Sequence, residues 1–231
     1  MAHSHASARF ANDLGPGLVV DGITSGYGKL AAVSEVSLTI APGEFVAIVG
    51  PNGAGKTTLI SALSGQLPCW HGRLRWQGQD VTGLSIALRV KGGISTVPQA
   101  APAFPGMTVA GNIDVARSVL SIDDGDDWTR VLELFPELHP KRQALAGTLS
   151  GGQRQMLALA RAMSQSPSLL MLDEPSFGLA VGVRQRVVDM LETYRRQTRC
   201  SVLMAEQDVS MIKTADRVFF MRSGRLERVR G

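Results

Sequence analysis

The chain has few cysteines and no long apolar run. Cys69 and Cys200 are far apart in sequence and lack CxxC spacing, which argues against a zinc site or a disulfide framework and favours a reducing compartment. No apolar segment approaches the roughly 18 to 20 residues of a membrane-spanning helix, and residues 1–17 lack the apolar core of a signal peptide. We therefore expect a chain that is neither embedded in a membrane nor exported across one.

Clusters of basic residues and internal repeats are also missing. The net charge is +4, yet the 24 lysines and arginines are scattered, and only residues 217–230 are locally rich in arginine. There the arginines alternate with apolar residues, as on the solvated face of a strand. We therefore expect no nucleic-acid partner. With 44% hydrophobic residues and no repeat, the 231-residue chain is expected to form one globular domain.

The boundaries of the folded part can be placed from composition. Residues 1–17 end in Gly-Pro-Gly, and we expect them to be a disordered leader. The first apolar run follows directly, so the folded domain is predicted to span residues 18–231. Within it, residues 100–148 show no apolar strand pattern and contain two helical segments, TVAGNIDVARSVL and WTRVLELF. This stretch is expected to be a helical subdomain inserted in the domain.

Apolar patterns elsewhere predict strands that alternate with helices. Val36, Leu38 and Ile40 alternate with polar residues, which is typical of a half-buried strand. Residues 169–172 and 202–204 are wholly apolar, as in the buried strands of a parallel sheet. Helical patterns lie before and after these runs. The chain is therefore predicted to have a layered α/β fold.

A glycine-rich segment follows the apolar strand EFVAIVG. Its sequence, GPNGAGKTT from Gly50 to Thr58, satisfies G-x-x-x-x-G-K-[ST] in the strand-loop-helix setting that this pattern requires. The glycines let backbone N–H groups point at phosphate oxygens, and the helix that follows adds the positive end of its dipole. We expect Lys56 to lie over the β and γ phosphates and Thr57 to give its hydroxyl to Mg²⁺. The alternative is a glycine-rich turn with a surface lysine.

Two acidic residues end the apolar run LLMLDEP. The strand would deliver Asp173 to its carboxyl end, where ligands bind in open α/β sheets, and Asp173 is the expected Mg²⁺ holder. Glu174 could orient and deprotonate a water molecule that attacks the γ phosphate. A purely structural interpretation makes the pair a helix N-cap. A GTPase is not favoured, because the chain has no N-K-x-D motif for reading the base.

The run LSGGQ, from Leu149 to Gln153, is similar to the motif of one family, the ATP-binding cassette (ABC) ATPases. The resemblance covers about residues 18–229. It implies an ABC-type P-loop ATPase core with an N-terminal antiparallel β subdomain and an inserted helical subdomain. It also implies a dimer with a second cassette subunit, of the same or another kind, in which LSGGQ of one protomer closes over the ATP of the other.

The resemblance assigns further roles. It implies that Tyr27 stacks on adenine, although Tyr27 could also be a core residue, and that Gln99 reaches Mg²⁺ and the attacking water. The resemblance also places Gln207 at the switch position, where the family usually has a histidine that touches the γ phosphate. Glutamine can donate a hydrogen bond to phosphate but cannot carry a charge. The expected catalytic residues are Glu174, Lys56 and Gln207, and the expected metal-binding residues are Thr57, Gln99 and Asp173. The expected nucleotide-binding residues are Tyr27, Gly50, Pro51, Asn52, Gly53, Ala54, Gly55, Lys56, Thr57, Thr58, Gln99, Leu149, Ser150, Gly151, Gly152 and Gln153.

The chain also resembles the ATPases of branched-chain amino acid importers in four segments, YGKLAAVSEVSLTIAPGE, LFPEL, GTLSGGQRQMLALARAM and AEQD. Glutamine at the position of Gln207 is common in those ATPases. The predicted function is therefore ATP hydrolysis that energises import of such solutes through membrane-spanning subunits, with the chain peripheral on the cytoplasmic face of the inner membrane. Phe104, Pro105 and Met107 are candidates for the surface that faces these subunits. The chain departs from the subfamily pattern at Ala100-Ala101-Pro102 and at Val181. The identity of the solute therefore stays open, with urea or another small polar solute as the alternative. The sequence also leaves open a soluble cassette without a transport role and a nucleotide sensor without catalysis.

Overall fold

The computed structural model describes residues 17–99, 103–120 and 132–230. The strands in this part of the chain are β1 (Leu18–Tyr27), β2 (Leu30–Ile40), β3 (Phe45–Val49), β4 (His71–Trp76), β5 (Gln79–Asp80), β6 (Ile94–Val97), β7 (Leu169–Asp173), β8 (Ser201–Glu206), β9 (Arg217–Arg222) and β10 (Arg225–Arg230). The α-helices are α1 (Lys56–Ser64), α2 (Ile86–Lys91), α3 (Val109–Ser118), α4 (Gly151–Met163) and α5 (Val181–Thr198). Short 3₁₀ turns lie at His139–Lys141, Ala146–Thr148 and Val209–Ile212.

The first sheet is antiparallel and has the strand order β2-β1-β4-β5. Val36, Leu38 and Ile40 of β2 are buried, whereas Ser37 and Thr39 between them are exposed. The strand pattern predicted from the alternation is therefore confirmed. One face of this sheet contributes to the core, and the other face lies at the surface.

The second sheet has the order β10-β9-β3-β8-β7-β6 and is parallel except for the β9–β10 hairpin. All residues of β7 and β8 are buried, as the apolar runs predicted. Because β3, β8, β7 and β6 run in one direction, their carboxyl ends meet at one edge of the sheet. The loops that follow these four strands are consequently neighbours, although they are far apart in sequence.

Helices cover both faces of the parallel sheet and create two apolar cores. One core lies between the antiparallel sheet, α1 and the parallel sheet, and it includes Trp76, Leu59 and Ile48. The other core joins the opposite face of the parallel sheet to α3, α4 and α5. The expected fold class, an α/β core with an N-terminal antiparallel sheet, is confirmed by this arrangement.

The described residues between β6 and α4 form helices, turns and one isolated β-bridge rather than a strand. They include α3, a helical turn at 132–134 and two of the 3₁₀ turns. Residues 1–16, residues 100–102 and the start of the WTRVLELF segment lie outside the described residues, so the leader and the bounds of the helical subdomain stay predictions. Within the described ranges, no helix combines the length and the apolar character needed to cross a membrane.

Candidate active site

The glycine-rich loop between β3 and α1 is packed too closely for side chains at two positions. A Cβ atom on Gly50 would lie 2.3 Å from the carbonyl oxygen of Met221, and one on Gly55 would lie 2.6 Å from that of Ala32. Gly55 also has φ of +107°, and Gly53 has φ of +76°, which residues with side chains rarely adopt. The loop shape therefore depends on glycine at the positions that the sequence pattern specifies.

Lys56, the first residue of α1, is buried inside this loop rather than extended into solvent. Its Nζ donates hydrogen bonds to the carbonyl oxygens of Gly50 at 2.8 Å and Pro51 at 3.1 Å. The same Nζ lies 3.1 Å from Oε1 of Glu174, and only 3% of the lysine side chain is exposed. A buried ammonium group requires such partners, because an uncompensated charge is costly inside a protein. The alternative of a surface lysine on a glycine-rich turn is thereby excluded.

Glu174, the residue after β7, accepts hydrogen bonds or an ion pair from three separate segments. Gln207 Nε2 donates to Oε1 at 2.8 Å, and Gln99 Nε2 donates to Oε2 at 2.9 Å. Together with Lys56 on Oε1, these groups hold both carboxylate oxygens. Glu174 is 5% exposed and has φ of +46°, a strained value for a residue with a side chain. Glu174 does not cap a helix in this structure, which argues against the N-cap interpretation.

Asp173, at the end of β7, faces the hydroxyl of Thr57 on α1. Thr57 Oγ1 donates to Asp173 Oδ1 at 3.2 Å. The pKa of Asp173 is raised to about 6, chiefly by burial; the charges of Glu174 and Glu206 contribute to this rise, while the Thr57 hydrogen bond and Lys56 oppose it. An acid whose ionised form is disfavoured in this way has a strong electrostatic reason to bind a cation.

A cleft opens between these groups. Its walls come from β2, the glycine-rich loop, α1 and the loops after β6 and β7. They are formed by Ala32, Asn52, Gly53, Gly55, Lys56, Thr57, Thr58, Gln99 and Glu174. The structure thus brings together the predicted phosphate-loop residues, Gln99 and Glu174.

Two predicted segments lie outside this cleft. Tyr27 is 56% exposed at the end of β1 and does not line the cleft, although Ala32 of the paired strand does. The LSGGQ segment forms the N-terminus of α4: Ser150 Oγ accepts from the backbone N–H of Gln153 at 3.3 Å, and Gln153 Oε1 accepts from that of Ser150 at 3.1 Å. This capping box fixes the helix start, and Gly151 beside it is exposed. No residue of the LSGGQ segment is among the described residues that line the cleft of the same chain.

Glu206, the last residue of β8, was not predicted as a site residue from the sequence. Glu206 is 1% exposed, and its carboxylate accepts hydrogen bonds from the backbone N–H groups of Ser176, Gln207 and Asp208. A signal was present, because an acidic residue ends a wholly apolar strand here just as Asp173 ends β7. Ala32 was also missed, since its contribution is a backbone position at the mouth of the cleft.

Comparisons with known proteins agree with this geometry. The family profile described as "ABC transporter" matches residues 33–177, which is more than half of the chain. The chain belongs to the ABC transporter family. Among curated relatives, this cassette is 37% identical over 211 residues, covering 90% of each chain, to the high-affinity branched-chain amino acid transport ATP-binding protein BraG of Pseudomonas aeruginosa. It is 33% identical to the probable branched-chain amino acid transport ATP-binding protein LivF of Archaeoglobus fulgidus, covering 88% of this cassette and 87% of the relative.

Solved structures show the same fold. The cassette matches a nucleotide-free ATP-binding cassette from an ABC transporter with a TM-score of 0.83 and 24% identity, covering 94% of this chain and 92% of the other. It matches the ADP conformation of the cassette MJ1267 with a TM-score of 0.81 and 25% identity, covering 94% and 91%. ATP-binding proteins of this family are ATP hydrolases coupled to transport, and this cassette is an ATP-hydrolysing subunit of that kind.

Proposed function

We propose that this cassette hydrolyses Mg²⁺-bound ATP to energise the import of branched-chain amino acids, as one of two paired cassettes on membrane-spanning subunits. The observation that carries the catalytic part of the proposal is the convergence of Lys56, Gln99 and Gln207 on the carboxylate of Glu174. These groups come from four loops at one edge of the parallel sheet, next to a glycine loop of phosphate-binding pattern.

The residues present fit both ATP and Mg²⁺. The glycine loop and the N-terminus of α1 would hold the β and γ phosphates, with Lys56 as the cation among them. Thr57 Oγ1 and Asp173 Oδ1, 3.2 Å apart, would hold Mg²⁺. The side-chain oxygen of Gln99, Oε1, is available as a further ligand, because Nε2 is the atom that bonds to Glu174. When bound, Mg²⁺ would neutralise phosphate charge during hydrolysis. We assign adenine stacking to Tyr27, whose exposed ring is free to meet a base.

Glu174 would act as the general base for the attacking water. In the structure its Oε1 is paired with Lys56, so the basic oxygen is occupied. A triphosphate competes for Lys56, because its oxygens carry more charge than one carboxylate. Release of Lys56 frees one lone pair of Oε1 to take a proton from water, while Gln207 stays on the other lone pair and Gln99 continues to hold Oε2. Gln207 then keeps Glu174 oriented by a neutral hydrogen bond, a role that does not depend on protonation of its own side chain.

A second cassette would complete the site. Ser150, Gly151 and Gly152 form a helix N-terminus that is suited to an anion but lies apart from the cleft of the same chain. Phe177, in the loop after β7 that also carries Glu174, is 66% exposed and would face the partner. Pairing two chains head to tail would place each LSGGQ segment against the other chain's nucleotide.

The membrane-spanning partner would contact the surface after the Gln99 loop. Phe104 is 43% exposed, Met107 is 42% exposed, and Pro105 between them is also exposed. Arg161 of α4 stacks on the Phe104 ring at 4.9 Å, which makes this patch both apolar and cationic. Such a patch fits a peripheral position on the cytoplasmic face of the inner membrane, with a short segment of the membrane subunit seated on it.

Hydrolysis is tested by measuring steady-state ATPase rate against protein concentration. We expect a steeper than linear rise, because two chains build each site, and loss of turnover in Glu174→Gln. The control is Glu35→Gln, which neutralises a glutamate whose side chain is 76% exposed. Gln207→His tests how the hydrolysis rate depends on the side chain at the switch position. ATP binding without hydrolysis, even after mixing with a second cassette subunit, would support a nucleotide sensor instead.

The solute is tested by uptake into vesicles that contain the membrane subunits and this cassette. We expect ATP-dependent uptake of leucine, isoleucine and valine that disappears with Glu174→Gln. The relatives named for sulfate/thiosulfate import in Chromobacterium violaceum and for fructose import in Rhizobium meliloti are 37% and 30% identical to this chain, so other solutes belong in the same assay. Uptake of urea or another small polar solute alone would replace the amino-acid assignment, and no uptake with intact hydrolysis would favour a soluble cassette.

A further inference from the structure

Glu206 is a buried acid whose partners are all backbone N–H groups. Its Oε1 accepts from Ser176 at 2.9 Å, and its Oε2 accepts from Gln207 at 3.0 Å and from Asp208 at 3.3 Å. Ser176 lies in the loop after β7, two residues beyond Glu174, whereas Gln207 and Asp208 begin the loop after β8. One carboxylate therefore joins the two loops that carry Glu174 and Gln207.

A carboxylate is the side chain that suits this position. Each of its two oxygens accepts hydrogen bonds, and one oxygen serves each loop. Glutamine has a single acceptor oxygen, and its NH₂ group would face an N–H donor of one loop or the other. Burying a charge at 1% exposure is costly unless it is fully hydrogen-bonded, and the three N–H groups supply that compensation.

A second connection runs beside the first. Arg184, in the first turns of α5, donates from Nε to the carbonyl oxygen of Leu179 at 2.9 Å and from Nη1 to Asp208 Oδ2 at 2.5 Å. Leu179 belongs to the same loop as Ser176. The loops after β7 and β8 are thus joined on both sides of Gln207, which leaves the Gln207 backbone little freedom to move relative to Glu174.

We propose that Glu206 is a positioning residue for ATP hydrolysis: its carboxylate fixes the two loops relative to each other and so keeps the Gln207 amide on Glu174 Oε1. The proposal rests on the hydrolytic function proposed above. Gln207 is exposed, so packing does not hold its side chain in place; its Nε2 is held by hydrogen bonds to Glu174 Oε1 at 2.8 Å and to Asn52 Oδ1 at 2.6 Å. Glu206 adds the constraint on the backbone that places this amide within reach of both acceptors.

The structural part of the proposal is tested without ATP, by residue-resolved amide hydrogen exchange on the full chain. In Glu206→Gln, we expect the amides of Ser176, Gln207 and Asp208 to exchange about tenfold faster than in wild type, since each loses a charge-assisted acceptor. Glu35→Gln is the matched control and should leave these amides unchanged. Unchanged protection in Glu206→Gln would overturn the proposal, whether or not the protein hydrolyses ATP.

The functional part is tested by separating kcat from KM and by a double-mutant cycle. We expect Glu206→Gln to lower kcat by about tenfold while KM for ATP changes by less than about threefold, because the phosphate loop is not altered. In a Gln207→Ala background, the same substitution should lower kcat by less than about twofold, because the amide that Glu206 positions is already absent. An equal loss in both backgrounds would mean that Glu206 does not act through Gln207.

A variant that keeps the charge protects the test against a folding failure. Glu206→Asp retains two acceptor oxygens but is one methylene shorter, so it reaches the two loops less well. We expect kcat and amide protection between those of wild type and Glu206→Gln, or, if Glu206→Gln does not fold, below those of wild type. A Glu206→Asp protein with wild-type kcat and wild-type amide protection would overturn the proposal.

Discussion

Replacing Asp173 with asparagine should stabilise the nucleotide-free protein at neutral pH. Asp173 is 2% exposed, and burial raises its pKa to about 6, from an ordinary value of 3.8. Because the folded pKa lies above the unfolded one, the unfolded chain binds fewer protons between these values, and folding is disfavoured as the pH rises from about 4 to about 6. Above about pH 6, the full free-energy cost of ionising Asp173 in the folded protein is present. Asparagine removes the ionisation and keeps an oxygen that can accept from Thr57.

The magnitude follows from the pKa difference. A shift of roughly two units corresponds to about 3 kcal/mol of unfolding free energy at pH 7.5, and roughly half of that at pH 5. The difference between Asp173→Asn and wild type should therefore shrink by about half when urea unfolding is repeated at pH 5. Titrating groups remote from Asp173 cancel, because they are present in both proteins.

The control is Asp21→Asn, which removes an exposed acid of β1. It should change the unfolding free energy by less than about 0.5 kcal/mol at either pH. In wild type, we expect ATP with Mg²⁺ to raise the unfolding midpoint more than ATP alone. Asp173→Asn should lose this additional shift. A stability difference that is equal at pH 5 and pH 7.5, or an asparagine variant that is less stable at pH 7.5, would refute the electrostatic reasoning.

Three further predictions concern the elements that shape the site. Arg89, 2% exposed, donates to four backbone carbonyl oxygens around the end of α1, so Arg89→Met should lower the unfolding free energy by about 3 kcal/mol in urea titrations, and a loss below about 1 kcal/mol would contradict that role. Gly55→Ala should weaken ATP binding in equilibrium dialysis by about 100-fold or more, since its Cβ would lie 2.6 Å from the Ala32 carbonyl oxygen; unchanged affinity would show that the loop can move away. Ser150→Ala removes the N-cap side chain of α4 and should lower the unfolding free energy by about 1 kcal/mol. Because Ser150 and Gln153 form one capping box, adding Gln153→Ala to that variant should give no further loss of similar size.

The sequence predicted well the features that depend on neighbouring residues. The alternation at Val36, Leu38 and Ile40 predicted a half-buried strand, because side chains of a strand point to opposite faces in turn. The Gly50–Thr58 segment predicted a loop followed by a helix, because its glycines permit backbone angles that other residues avoid. The start of α4 depends on a similarly local interaction, since the Ser150 side chain accepts a hydrogen bond from the backbone N–H of Gln153.

The sequence by itself therefore determined which segments are strands, which loop can hold phosphate and which acids end a buried strand. Only the tertiary structure decided that Gln99, Glu174 and Gln207 meet, because the strand order β3-β8-β7-β6 is set by packing between distant segments. It also decided that Lys56 is buried against Glu174. The partners of Glu206 were decided by the tertiary structure for the same reason: they are backbone N–H groups, which every residue except proline carries, and the packing of β7 beside β8 brings them within reach.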